Sequence, residues 1–418
     1  MRAIIVGAGW SGALAFAAIR PFCSEVVVIE RGSDVRGTDR PQGHHKTQLH
    51  NLVTAGLNAV ERLLPGFGSA LLAVGGVIAK ASSQTHVFEA GVWMPRRDLG
   101  LAIATARPGA FAEAAWRVLD TQGCQPVITS ARATALIVSE GQATGVSMLE
   151  PTGHTTSLGA DFVVDASGGG LKIPRDARPP VCIFRSDRWF ASFDVCRLSR
   201  RKKDTEFWLL FPWKGTRGML MSPIGPGRWV ASASGSIQAD PPPRSWDDID
   251  AHLEVMGRPA AAIRRVISAS MTSPISIYRQ PRAAWRRFDL VKRPLRRYFP
   301  IGDAIARQAP LLGQGMSVAA CQAIALFDVM GEASSASSTP SADNVADYLL
   351  GASRWAERAW QLNASSEGLA KVDSGASELR PRDIERIARR VTADAALHKA
   401  YVGYWHLVTS AERLKQLT

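Results

Sequence analysis

The sequence predicts an α/β chain in three parts: a Rossmann-type dinucleotide-binding domain, an inserted antiparallel β-sheet domain and a C-terminal helical segment. Three observations predict it. Residues 2 to 31, RAIIVGAGWSGALAFAAIRPFCSEVVVIER, read strand, glycine-rich turn, helix, strand and acid, the order of a complete nucleotide-binding βαβ unit. Between 188 and 235, apolar runs are separated by Lys/Arg and Gly/Pro turns, the pattern of antiparallel strands. After 343, apolar residues recur at helical spacing.

In the first unit the apolar run Ala3 to Val6 feeds Gly7, which allows a tight turn. Gly9 lets backbone approach a pyrophosphate, and Gly12 lets the helix pack close to its strand. The phosphate then sits on the helix N-terminus, whose free N–H groups and dipole favour an anion. Glu30 closes the second strand, where a carboxylate can accept both hydroxyls of an adenosine ribose and repels a 2′-phosphate. That favours FAD or NAD over NADP.

The whole chain bounds the answer further. Its 418 residues allow two or three domains or one large α/β assembly, and 46% apolar with 21% charged residues is an ordinary globular composition. No run approaches the about 18 uninterrupted apolar residues of a membrane span, and the apolar start reads as glycine-broken strand rather than signal peptide. A cytoplasmic protein is expected. Cys23, Cys124, Cys182, Cys196 and Cys321 are scattered without a CxxC pair, which indicates neither zinc nor a disulfide framework.

The formal charge of +13 is the odd global feature. Its densest run, RAAWRRFDLVKRPLRRYF, holds Arg282, Arg286, Arg287, Lys292, Arg293, Arg296 and Arg297 with aromatics interleaved, superficially a nucleic-acid patch. The run leads straight into a strand and a cofactor motif, so a solvated or carrier-protein-facing enzyme surface is the expectation, with no nucleic-acid partner.

That second motif, YFPIGDAIARQAPLLGQGMS at 298 to 317, decides between FAD and NAD. NAD needs nothing so remote from the first glycines, whereas FAD has a ribityl chain and an isoalloxazine ring to hold. Asp303 follows a strand, where its carboxylate can take a ribityl hydroxyl. Pro310, Gly313 and Gly315 permit a close turn, and MSVAACQAIALFDVM reads as an amphipathic helix. The start of that helix offers N–H groups to the flavin pyrimidine, favouring the reduced anion by about 1 to 2 kcal/mol if partly buried.

At this point the chain resembles the para-hydroxybenzoate-hydroxylase-fold flavoproteins, in the branch of bacterial FAD-dependent epoxidases and polyprenyl-methoxyphenol-hydroxylase-like monooxygenases. Four segments carry the resemblance: GAGWSG with Glu30 and Arg31, RPQGHHKTQLH at 40 to 50, ADFVVDASGGG at 160 to 170, and GDAIARQAPLLGQGMSVAA. It implies that Gly7, Gly9, Gly12 and Glu30 bind the ADP half with Arg31 beside it, and that Arg107 lies near the flavin phosphates. It also implies that Asp303 holds the ribityl chain, and that Pro310, Gly313, Gln314, Gly315 and Met316 hold the ring. The middle motif departs from the family. Where relatives often carry Gly-Arg-Gly-Ser and a basic residue, this chain has Gly168-Gly169-Gly170-Leu171-Lys172 after Asp165. Because that region is tied to NAD(P)H use, electrons from NADH or NADPH arrive either directly or through a partner flavin reductase.

His44, His45 and His50 cluster in the second segment, yet no carboxylate or cysteine accompanies them and adjacent side chains on a strand point apart. No metal is expected, and the resemblance places this loop near the flavin. Segments Arg188–Leu198, Glu206–Pro212, Arg217–Ser222 and Arg228–Gly235 read as the substrate layer. Within it Trp208, Phe211 and Trp213 are the candidates for the wall of an apolar pocket. Residues 332–342 form a small polar linker, after which two or three helices pack on the FAD domain or over the pocket.

The resulting division is a discontinuous FAD-binding domain over 1–75, 96–180 and 273–331, a β-sheet substrate domain over 76–95 and 181–272, and a helical region over 343–418. The expected function is an FAD-dependent monooxygenase of specialised metabolism. It would insert one oxygen atom into an apolar aromatic or alkene substrate, by hydroxylation or epoxidation through a flavin C4a-hydroperoxide. No acid or base side chain is identifiable from sequence. The alternatives are a halogenase of the same fold, whose WxWxIP segment is absent, a prenyl-chain reductase, and a non-enzymatic flavin-containing binder of nucleic acid or an acidic protein.

Overall fold

The structure is a computed structural model and describes residues 1–32, 49–196, 207–212, 215–225, 227–267, 272–335, 339–366, 379 and 381–418. The chain opens with β1 (Arg2–Val6), α1 (Trp10–Ile19) and β2 (Glu25–Glu30). It continues through β3 (His50–Leu52), α2 (Thr54–Leu63), α3 (Phe67–Ala73), β4 (Val77–Ser82), β5 (Thr85–Glu89), β6 (Val92–Trp93), β7 (Asp98–Ala106) and α4 (Pro108–Thr121). Next come β8 (Val127–Ser130), β9 (Arg132–Ser139), β10 (Gln142–Leu149), β11 (Thr155–Gly159), β12 (Phe162–Asp165) and β13 (Val181–Arg185). The inserted layer is β14 (Arg188–Cys196), β15 (Phe207–Leu210), β16 (Gly218–Pro223), β17 (Arg228–Ser236), α5 (Trp246–Met256) and α6 (Ala261–Ile267). It is followed by β18 (Ser276–Arg279), β19 (Arg282–Arg286), β20 (Tyr298–Pro300), β21 (Ala306–Arg307) and the helices α7 (Gly315–Ser335), α8 (Ala342–Ser366), α9 (Pro381–Arg390), α10 (Ala395–Trp405) and α11 (Ala411–Gln416).

A five-stranded sheet, ordered β20-β12-β1-β2-β8 and parallel throughout, carries the first unit. Strands β20, β12, β1 and β2 are largely buried, so they read as continuous apolar runs rather than alternations, while the edge strand β8 is exposed. The chain leaves β1 toward β2 on one side while β12 pairs on the other, which puts the switch of strand order beside β1. In such sheets the crevice at the carboxyl ends next to that switch is where a ligand binds. Glu30, Asp165 and Pro300, at or near those ends, sit at the mouth of the crevice.

The second layer is a seven-stranded sheet ordered β18-β14-β17-β16-β15-β5-β6. The four strands expected from the alternating segments are all present, with β14, β17, β16 and β15 antiparallel in turn. The pairing of β15 with β5 is parallel; it attaches residues 85–93 to a layer built mainly from 188–236. One face of this sheet packs Trp189, Phe193 and Trp229 with Ile249 and Leu253 of α5 and Ile263 of α6. The helix α5 starts at a capping box in which Ser245 and Asp248 satisfy each other's backbone N–H groups.

The helix expected to be amphipathic, α7, is not. Eleven of its residues, from Ser317 to Ala333, are buried, and it packs against α1, α2 and α8. A helix covered on several sides needs no polar face. Among the described residues it is also the one helix long and apolar enough to cross a membrane, and 61% of that stretch is buried inside the protein, as in a core helix. The segment expected as one helix after 379 is divided into α9 and α10, the second starting at Asp394, whose carboxylate accepts the Leu397 N–H at 2.8 Å.

Candidate functional site

One cavity of about 1280 Å³ opens at the carboxyl ends of the parallel sheet and continues beneath the seven-stranded sheet. That exceeds the about 300–1,000 Å³ of a site for one drug-sized ligand, so there is room for a large cofactor and a second molecule.

At its first end, Gly7 has φ +98°, and a Cβ there would lie 2.7 Å from the Ala166 carbonyl oxygen. A Cβ on Gly12 would run into the Gly7 carbonyl oxygen. These two positions therefore admit only glycine, and they hold α1 against β1. Gly9 caps α1 without a side-chain partner, and no acid occupies the first turn, so the helix end is free for an anion. The buried Glu30 accepts the Ala8 N–H at 2.7 Å and lines the cavity together with Arg31.

The middle is built by two loops. Asp165, fully buried, accepts the N–H groups of Ser167 at 3.1 Å and Leu171 at 2.6 Å, and the Tyr298 hydroxyl donates to it at 2.7 Å. This shapes the Gly168–Gly170 turn that walls the cavity. Arg286 then donates to the Gly169 carbonyl at 2.8 Å and to the Asp303 and Ala304 carbonyls at 3.0 and 3.2 Å, stapling the triple-glycine loop to the 302–304 turn. Asp303 lines the cavity, and among the described residues no group donates to its carboxylate. Desolvation pushes that carboxyl up to about 6, opposed by Arg307 and Arg286.

Farther along the cavity Gly313 has φ +62°, and a Cβ would lie 2.7 Å from Asn51 Oδ1. Residues 313–316 form the wall at the start of α7. The Trp10 indole N–H donates to the Met316 carbonyl at 2.9 Å, and the Gln314 amide donates to the Trp405 carbonyl at 2.9 Å. Buried Gln314 Oε1 and Asn51 Oδ1, both on cavity-lining residues, have no hydrogen-bond partner among the described residues.

Beyond lies an apolar chamber. The lining residues Thr85, Val87 and Glu89 stand two apart on β5, as the two-residue period of a strand requires, while Leu209, Leu210 and Phe211 line it from β15 and its continuation. Tyr401 and Trp405 of α10 also line it, and Trp405 stacks on Phe211 with centroids 6.2 Å apart.

No family model matches the sequence. Protein Rv3254 of Mycobacterium tuberculosis is 26% identical over 347 residues, covering 77% of this chain and 71% of that protein. Among solved structures, the flavin-dependent brominase Bmp2 superposes with a TM-score of 0.69 at 13% identity, over 99% of this chain and 95% of the other. A crystal structure of 2-methyl-3-hydroxypyridine-5-carboxylic acid oxygenase gives 0.64 at 19% identity, over 90% and 94%. PqsL of P. aeruginosa, in complex with 2-aminobenzoylacetate, gives 0.66 at 17% identity, over 92% and 98%. The chain has the para-hydroxybenzoate-hydroxylase fold.

Within the para-hydroxybenzoate-hydroxylase fold the site residues expected from sequence are brought together, with three exceptions. Arg107 caps the start of α4 and pairs with Asp194 of β14 at 2.6 Å; it is not in the cavity wall, because a half-buried carboxylate on the neighbouring sheet recruits its guanidinium. Trp208 lies on the opposite face of β15 from Leu209 and Phe211 and stacks on His86 of β5, with centroids 3.9 Å apart. Trp213, like His44 and His45, lies outside the described residues; His50 lines the cavity. The basic run is largely engaged within the protein. Arg287 pairs with Asp289 at 2.7 Å and lies over Trp285, and Arg296 and Arg297 donate to Glu140 and Thr339.

Sequence reading missed Glu89 and Tyr401. Glu89 is buried and faces the chamber, and desolvation pushes its carboxyl up to about 7, with Tyr401 as its titratable neighbour. A lone acid closing the apolar strand THVFE was the available signal. His398 and His406 are held down to about 4 by burial, so the roof is uncharged at neutral pH.

The different faces of Trp208 and Phe211 predict different losses. Phe211→Ala removes the chamber wall and its stack on Trp405, and is expected to weaken binding of naphthalene by about 10-fold. Trp208→Ala is expected to leave that binding within about twofold while costing on the order of 2 kcal/mol of stability. Fluorescence titration and denaturant unfolding of both variants check this, and equal binding losses would contradict the assignment of faces.

Proposed function

We propose that this protein is an FAD-dependent monooxygenase that inserts one oxygen atom, by hydroxylation or epoxidation, into an apolar aromatic or alkene substrate of specialised metabolism. One observation carries the reading: a single cavity joins the glycine cradle of β1 and α1, the unpartnered Asp303 carboxylate and the start of α7 to an aromatic-walled chamber. The residues fit FAD. Gly7, Gly9 and α1 seat the pyrophosphate, Glu30 and Arg31 stand at the ribose, Asp303 meets the ribityl hydroxyls, and 313–316 abut the ring. Bound FAD supplies, once reduced, the activation of oxygen. The protein's part is to exclude water and to aim the substrate, which Phe211, Leu209 and Trp405 do by enclosing the chamber with apolar surface.

The printed functions of the structural relatives support oxygen insertion into small aromatic molecules, and the brominase supports halogenation as a second reading. Electrons come from NADH or NADPH, directly or through a partner reductase. A carrier-protein-tethered substrate would meet the exposed part of the basic run, Arg282, Lys292 and Arg293. Five free cysteines suit a reducing, cytoplasmic setting.

The test begins with FAD titration of the purified chain, followed by anaerobic NADH or NADPH and then oxygen. Stoichiometric FAD binding with a product heavier by one oxygen atom is expected from an aromatic and alkene panel. Bleaching by nicotinamide alone identifies direct reduction, and bleaching only with an added flavin reductase identifies the partner route. Failure to bind FAD overturns the proposal, and a product that requires bromide replaces it with halogenation.

A further inference from the structure

Beyond the glycine cradle and the 302–304 turn, the described cavity wall holds one acid. Glu89, at the end of β5, is 8% exposed, and among the described residues it has no basic partner. A buried carboxylate without a cation is costly. Here it faces the cavity rather than the core. The Tyr401 hydroxyl from α10, on a residue 1% exposed, lies beside it and interacts with its carboxyl. One turn on, the buried Trp405 indole N–H lies beside the Tyr401 hydroxyl. The acceptor, the hydroxyl and the indole donor thus converge on one end of the chamber from residues that all line it. The other titratable groups of α10 in the wall, His398 together with its neighbour Arg97, interact with each other, and His406 is engaged by Thr54 at 2.8 Å. Those side chains are engaged elsewhere, whereas Glu89, Tyr401 and Trp405 interact with one another at the chamber wall, where a carboxylate has acceptor capacity beyond the one Tyr401 hydroxyl.

We propose that Glu89 and Tyr401 form the polar anchor of the substrate, recognising an otherwise apolar aromatic molecule through a hydroxyl or amino donor on its ring. This rests on the chamber being the substrate site of the proposed oxygenase, and it narrows the substrate class to donor-bearing aromatics over plain alkenes. Glu89 accepts the hydrogen bond from the ring donor. Tyr401 closes the other side of the polar end, and Phe211 and Leu209 hold the ring. A molecule with the same ring but a capped donor places an oxygen without a hydrogen against the carboxylate, which is the stronger form of discrimination. A hydrogen bond to a charged acceptor corresponds to about 10- to 100-fold in affinity.

The experiment titrates the full chain with 1-naphthol and with 1-methoxynaphthalene, which keeps the ring and oxygen but has no donor. FAD binding is measured on the same samples. Wild type is expected to prefer 1-naphthol by about 10-fold or more, Glu89→Gln to retain less than about threefold, and Tyr401→Phe to fall between them. Equal binding of the two probes by wild type, or binding of neither, overturns the anchor, as does a full preference surviving in Glu89→Gln. Loss of FAD binding with an intact naphthol preference instead counts against the flavin reading alone.

Folding of the variant is read independently from its pH profile. Because the folded-state carboxyl is raised to about 7, its contribution is intact below the unfolded value and is lost as pH rises through 7. His398 and His406, lowered to about 4, act in the opposite direction, so the difference between wild type and variant is the informative curve. Glu89→Gln is expected to unfold at a temperature equal to wild type near pH 4.5 and higher than wild type above pH 7. A variant less stable at both pH values would show that Glu89 serves packing and would overturn the anchor.

Discussion

Replacing Asp303 by alanine is expected to weaken FAD binding by about 10- to 100-fold while leaving the fold intact, as measured by quenching of flavin fluorescence and by thermal unfolding. The magnitude is that of a hydrogen bond between a neutral donor and a charged acceptor, about 1.5–3 kcal/mol. The fold should survive because Asp303 is exposed to the cavity and its carboxylate has no partner among the described residues; the backbone of the turn is held separately, by Arg286 on its carbonyls and by Gln322, which accepts the Gly302 N–H at 2.8 Å. Asp303→Asn keeps an acceptor at the same place and should lose less than about 10-fold. If the alanine variant loads FAD as wild type does, the assignment of residues 298–317 to the cofactor fails.

The second large effect is expected at Gly12. Valine there places a Cβ against the Gly7 carbonyl oxygen, and neither atom can move away. One belongs to the first turn of α1 and the other to the turn after β1, whose Gly7 N–H is bonded to Ile29 at 2.8 Å. Overpacking between two such backbones costs about 3 kcal/mol or more, and the only relief is to lift α1 from the sheet. That displaces the N–H groups meant for the pyrophosphate. The expected result is at least about a 100-fold loss of FAD affinity together with a lower unfolding temperature. Unchanged flavin retention would show that this glycine turn is not the phosphate seat.

These two positions were legible in the sequence because their constraint is local. A glycine between strand and helix, or before an aspartate at a strand end, is required by backbone that lies within a few residues. The four strands of the inserted layer were legible for the same reason: turn residues bound them and alternation fills them. Arg107 was misplaced because its partner Asp194 stands 87 residues later, and nothing near Arg107 announces it. Trp208 and Phe211 share one short aromatic segment, and which of them faces the chamber depends on β15 pairing with β5 from a distant part of the chain. Glu89 and Tyr401 lie more than 300 residues apart, and α7 hid its role because a helix buried on several sides loses the stripe that sequence reading looks for. The resemblance to a flavoprotein family pointed to the residues proposed to hold the cofactor and left the chamber's polar end unassigned.

The roof over the chamber has a consequence for how the protein comes into being. The phosphate seat is complete once residues 2–30 have folded against β12, whereas Trp405 must reach back to Gln314 and Phe211 before the far chamber is enclosed. Contacts of such long sequence separation form late. A nascent chain that has not yet extended to residue 398 would therefore offer a half-built berth, able to touch the nucleotide end of a cofactor and unable to shelter the other. On the proposed function, stable flavin capture then belongs after translation has passed this helix.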